Sequence, residues 1–115
     1  MPLFNAISKA AVEALIAAAR ATSGTYAGDD AVNRGIPHGL GVIPRAVLMS
    51  RISGNLQSFR IMEGHAAILC DAAGAKSTQP VTAPDATNFY VGNAADMEQS
   101  ANDDAPRTYV WAAIP

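Results

Sequence analysis

After Gly24 the chain settles into short apolar runs, each cut off by Gly, Pro, Asn, Asp or Ser. That rhythm belongs to strands joined by turns, at the spacing of an all-β sandwich or barrel. Residues 45–52 (Arg-Ala-Val-Leu-Met-Ser-Arg-Ile) form the strongest predicted strand, opened by Pro44 and closed by Ser53-Gly54-Asn55. Residues 57–62 alternate, with Phe59 and Ile61 on one parity against Ser58, Arg60 and Met62, so the two runs read as a hairpin. Glu63-Gly64 turns the chain into a third strand over 66–70. Residues 71–77 read as loop, and 79–82 as a short edge strand, because Pro80 has no N–H to give a ladder. Strands follow at 88–91 and 108–114, separated by a long polar connection over 92–107. Tyr109, Trp111 and Ile114 make the last strand too apolar for a frayed tail, which predicts a paired, central position. Val47, Met49, Phe59, Ile61, Ile68, Val91 and Trp111 are the expected core.

The first residues follow another period. Phe4, Ile7, Ala11, Leu15 and Ala18 recur at spacings of three and four, and Val12, Ile16 and Ala19 widen the stripe. Residues 3–21 therefore read as an amphipathic helix stopped by Thr22-Ser23-Gly24. One helix of that length is marginal in water, so it must pack on its own domain or on copies of itself. Phe4, Ile7, Ala11, Leu15 and Ile16 are the expected oligomerisation or docking seam. The reading is an all-β sandwich, jelly-roll-like, over residues 25–115, preceded by an N-terminal helix over residues 1–24. The 115 residues suit one domain. Its core should be thin, since 24 alanines match the 24 Leu, Ile, Val and Phe combined.

Charge and chemistry exclude several classes. Eight basic against ten acidic side chains give a net charge of −2, so there is no basic field for nucleic acid and no basic amphipathic face for a membrane. Lys9 and Glu13 interrupt the apolar N-terminal stretch, and its longest apolar run, 14–19, is far short of the ~20 residues that span a bilayer. The single cysteine, Cys70, excludes an internal disulfide and reads as a buried thiol. His38, in Pro37-His38-Gly39-Leu40-Gly41, reads as a turn histidine bonded to nearby backbone, and His65 as structural. Asp29-Asp30 and Asp103-Asp104 are what turns prefer, with a loop-bound calcium as the minority reading. No Gly-X-Ser-X-Gly elbow occurs, and Gly39-Leu40-Gly41 runs into Val-Ile-Pro, which fits no nucleotide loop. No catalytic residue, cofactor or metal is expected, and the chain does not read as an enzyme. Tyr26 and Tyr90 are the candidate rim for a stacked ligand.

The stretch Thr25-Tyr26-Ala27-Gly28-Asp29-Asp30-Ala31-Val32-Asn33-Arg34-Gly35-Ile36-Pro37-His38-Gly39-Leu40-Gly41-Val42-Ile43-Pro44-Arg45-Ala46-Val47 resembles a segment that recurs in tailed-phage virion proteins. There a Gly-Asp turn leads to an edge strand, a His-Gly-Leu-Gly loop, a Pro-Lys/Arg pair and an apolar strand. Tyr109-Val110-Trp111-Ala112-Ala113-Ile114 resembles the aromatic strand with which such chains end. The resemblance implies a β-sandwich module, often trimeric, of a capsid-decorating protein, head fibre or tail fibre. It implies a virion protein assembled in the host cytoplasm, with copies of itself and phage capsid or tail proteins as partners. A tail-tip module binding a host receptor or surface carbohydrate is the alternative. No repetitive fibre shaft is present, which fits a small accessory subunit better.

Overall fold

A computed structural model of the chain describes residues 20–53, 57–72, 75–104 and 107–115. All regular structure among them is antiparallel strand: β1 (Thr22–Ala27), β2 (Arg34–Pro37), β3 (Ala46–Arg51), β4 (Gln57–Met62), β5 (Ala67–Ala72), β6 (Ala75–Pro80), β7 (Asn88–Val91) and β8 (Thr108–Ile114). The predicted helix, with Phe4, Ile7, Ala11, Leu15 and Ile16, lies outside the described residues but for Arg20 and Ala21.

Six strands make one sheet in the order β1-β8-β3-β4-β5-β6, and β2 pairs with β7 in a second, two-stranded sheet. The last strand is central, as its composition predicts, with β1 on one side and β3 on the other. The predicted hairpin forms, with Val47 opposite Ile61 and Met49 opposite Phe59. Three boundaries move, one at the edge strand expected over 79–82, where β6 ends at Pro80 and leaves Val81 and Thr82 outside. Thr22, Ser23 and Gly24, read as a helix stop, are the first half of β1, paired with Ala113, Ala112 and Trp111. Within the 71–77 stretch, read as loop, Asp71 and Ala72 end β5 and residues 75–77 start β6, with Asp71 opposite Lys76 and Cys70 opposite Ser77. Pairing of β5 with β4, and of β6 with β5, overrides the weak strand preference of Ala, Asp, Lys and Ser there.

Alternation sends one parity of each strand inward. Val47, Met49, Phe59, Ile61, Ile68, Val91 and Trp111 are all buried, joined by Ile36, Phe89 and Tyr109. Trp111 meets Phe89 edge-on with ring centroids 5.3 Å apart, which ties the large sheet to the small one. Tyr109 takes the edge of Phe59 at 5.8 Å. Each such pair adds about 0.5–1.5 kcal/mol beyond the area it buries.

The 92–107 connection packs against the turn after β1. Gly92, at φ +93°, sits where a β-carbon would overlap the Ala31 carbonyl oxygen. Gly92→Ala therefore meets both backbone strain and a clash with backbone, and should lower stability by about 3 kcal/mol or more. Gly39, at φ +71°, has open space around it, so Gly39→Ala should cost only about 1–2 kcal/mol of left-handed strain. Urea midpoints of the two variants test that order.

Candidate interaction surface

Tyr26, read as part of a ligand rim, is instead core: 7% of it is exposed. Its ring stacks on Tyr109 at 5.1 Å, the Arg34 guanidinium lies 5.3 Å from its centroid, and its hydroxyl donates to the Ala101 carbonyl at 2.6 Å. Burial, then the neighbouring Tyr109, raises its phenol above the ordinary value. Inward parity of β1, not aromatic character, decides its place. Tyr90 is half-buried, and its hydroxyl donates to Asp85 Oδ2 at 2.7 Å. The two tyrosines thus form no common rim.

His38 is fully buried in the loop after β2. Its Nδ1 accepts the Leu40 N–H at 3.1 Å, which leaves Nε2 carrying the proton, donated to the Asp85 carbonyl at 2.8 Å. Both ring nitrogens serve backbone, as the turn reading expects. His65 is exposed in the β4–β5 turn. Cys70 is buried on β5, and desolvation raises its thiol.

The two Asp pairs, 74 residues apart, are brought together. Asn102, with no exposed surface, donates from Nδ2 to Asp29 Oδ1 and the Ala31 carbonyl, each at 2.8 Å. Its Oδ1 accepts the Asp29 N–H at 3.2 Å and Arg34 Nη1 at 3.3 Å. Carboxylate oxygens of Asp30, Asp103 and Asp104 then lie within 4.8 Å of one another. The Asp30 carboxylate beside it raises Asp104. Such oxygens suit a hard cation, but two of the three side chains are exposed. Sequence order gave no signal of this convergence, because it depends on Asn102, an unremarkable residue in a polar connection. Arg51 was missed as well: inward parity buries it on β3, with Nη1 3.4 Å from Glu98 Oε1.

The outward face of the large sheet carries a group of exposed apolar side chains at one end of its strands. Ile114, Ala46 and Met62 stand in one cross-strand row, and Ala112, Leu48, Arg60 and Leu69 in the next. Leu48 is 47% exposed, and Met62 and Ile114 are each 38% exposed. Leu48, Ser58, Arg60, Leu69, Asp71 and Thr78 line a shallow groove of about 530 Å³ over β3 to β6. The 38–45 loop adds exposed Val42 and Ile43 at the Ile114 end, where Arg45 N–H bonds the Ile114 carbonyl at 2.7 Å. Exposed apolar side chains grouped this way mark a contact surface better than scattered ones do.

No family model, curated protein or solved structure matches this chain at a significant level.

Asp85, in the β6–β7 connection, offers a test of the contacts that hold His38 and Tyr90 there. The Tyr90 hydroxyl and the Asn88 and Thr87 N–H groups hold its carboxyl down to about 2. A lowered acid contributes stability above its unfolded value, near 4, and loses it as pH falls through the folded value. Denaturation midpoints should drop between about pH 4 and pH 2. Asp85→Asn should flatten that part of the profile and lower stability at pH 7.

Proposed function

We propose that this chain is a structural protein of a bacteriophage virion, a capsid-decorating or head-fibre subunit that acts through contacts between copies and with capsid or tail proteins. In this reading a jelly-roll-like sandwich stands behind an amphipathic helix of residues 3–21, and the protein assembles into the particle in the host cytoplasm. The observation that carries the proposal is the outward face of the large sheet, where Leu48, Met62 and Ile114 are exposed on neighbouring strands. An isolated domain gains nothing from aliphatic side chains there, whereas an assembling subunit buries them at about 25 cal/mol per Å². The resemblance of residues 25–47 and 109–114 to phage virion segments supplies the biological setting. A net charge of −2 suits a place outside the packaged nucleic acid. The carbohydrate-binding alternative has less to draw on, since both faces of Tyr26 are covered and Trp111 is buried.

Light scattering on the full chain tests the assembly. The expected mass is that of a trimer or larger, against 11.9 kDa for one chain. Leu15→Asp should return it to a single chain with the far-ultraviolet β signal intact, because a charge in an apolar seam costs several kcal/mol. A single-chain mass for the parent protein would reject assembly through its own contacts. Mass spectrometry of purified particles of the phage encoding it should find the protein in fixed copy number, and its absence would reject the virion reading.

A further inference from the structure

We infer that the outward face of the large sheet is the seat for the amphipathic segment, residues 3–19, of a neighbouring copy of this chain. The inference rests on the assembling reading above and names what fills the face.

The segment needs an apolar counterpart, since its stripe of Phe4, Ile7, Ala11 and Leu15 is marginal alone. The described domain exposes one at the end where the segment joins it. Thr22 begins β1 opposite Ala113, in the row that continues through Val47 and Ile61. Ile114, Met62, Val42 and Ile43 all gather at this end, with Leu48 one row further in.

The segment's own sheet is a poor seat for it. Only Arg20 and Ala21, both exposed, separate Ala19 from the first paired residue. Two residues span at most about 7 Å, so on its own sheet the end of the segment would be set over β1 and not over Leu48, which stands on the third strand about 10 Å away. A segment turned back at once would lie first over β1, whose outward residues are the exposed Ser23 and Thr25. Continuing past the end of the sheet instead carries the stripe away from its own domain and onto another. A helix of residues 3–21 would be about 28 Å long, enough to cross the strands of a neighbouring sheet, which span about 24 Å. In a closed ring every copy gives one segment and receives one, so no apolar stripe and no apolar face is left over.

A mixed-label experiment on the full chain tests this. One batch carries Glu13→Cys with a nitroxide, placed off the stripe, the buried Cys70 staying unmodified. The other batch carries ¹³C-methyl methionine and no nitroxide. The two are mixed through a denatured state and refolded. Met62 should lose most of its methyl intensity in the mixed oligomer. Met97 should keep its own, because it neighbours Glu98, whose carboxylate bonds Arg51 and Gln57 at the opposite end of the strands. Leu48→Glu in the methionine batch, at an exposed site that tolerates the change, should restore the Met62 signal. An unaffected Met62 in mixed oligomers overturns the inference, as does broadening seen only when both labels share one chain. In both cases an oligomeric mass by light scattering leaves the assembling reading standing, whereas a single-chain mass ends both.

Discussion

Strand β8 sits between two strands that are close neighbours in neither sequence nor sheet without it. On one side it pairs with all six residues of β1, and on the other with all six of β3. Its inward residues Tyr109, Trp111 and Ala113 are buried, and through Tyr26, Phe59 and Phe89 they reach β1, β4 and the second sheet. Without β8, β3 to β6 remain a meander with one face uncovered, and β1 has no partner. The first and last strands of the described domain must therefore meet before the sheet is complete, a pairing at long sequence separation that is slow to form.

A second lock depends on the first. The inward row of Tyr26 and Tyr109 places the Tyr26 hydroxyl against the Ala101 carbonyl, and Ala101 holds φ +61°. That conformation costs alanine about 1–2 kcal/mol, offset where Asn102 next door bonds Asp29, Ala31 and Arg34. The Asp30 N–H also reaches the Asn102 carbonyl at 2.9 Å. The 92–107 connection thus acts as part of the inner layer, closing the end of the sheet that the short β2 and β7 leave uncovered.

This division explains what was legible in the sequence. Alternation in 45–52, 57–62 and 108–114 reports a fixed environment on each side of the strand, so strand and core followed from it, while the register came from the structure. The β5–β6 hairpin did not, because Asp71 is held as strand by Ser58 of β4, and Lys76 and Ser77 in turn by β5. Asn102 was invisible for a related reason: its importance lies in partners some 70 residues away, and nothing local separates it from Asn93 or Asp103. Tyr26 misled because aromatic character was read as a sign of exposure, while its parity on β1 had already fixed it inward. The expected seam of Phe4, Ile7, Ala11, Leu15 and Ile16 lies outside the described residues.

The outward face is where the alternation rule and the chain disagree. An antiparallel sheet with one wet side should carry polar residues outward, and β1 obeys with Ser23 and Thr25. Along β3, β4 and β8 the outward positions Ala46, Leu48, Met62, Val110, Ala112 and Ile114 break that rule, while Ser50, Ser58, Arg60 and Thr108 keep it. These strands already have their inward set, so the departure does nothing for the buried core. It is concentrated on three adjacent strands and fades at β1, which a random loss of polarity would not produce. An apolar group at one end of the face, bounded by Ser50, Ser58 and Arg60 along the strands and by Ser23 and Thr25 on β1, has the pattern of an interface core with its rim, and that pattern was present in the alternation itself once the register of the strands was known.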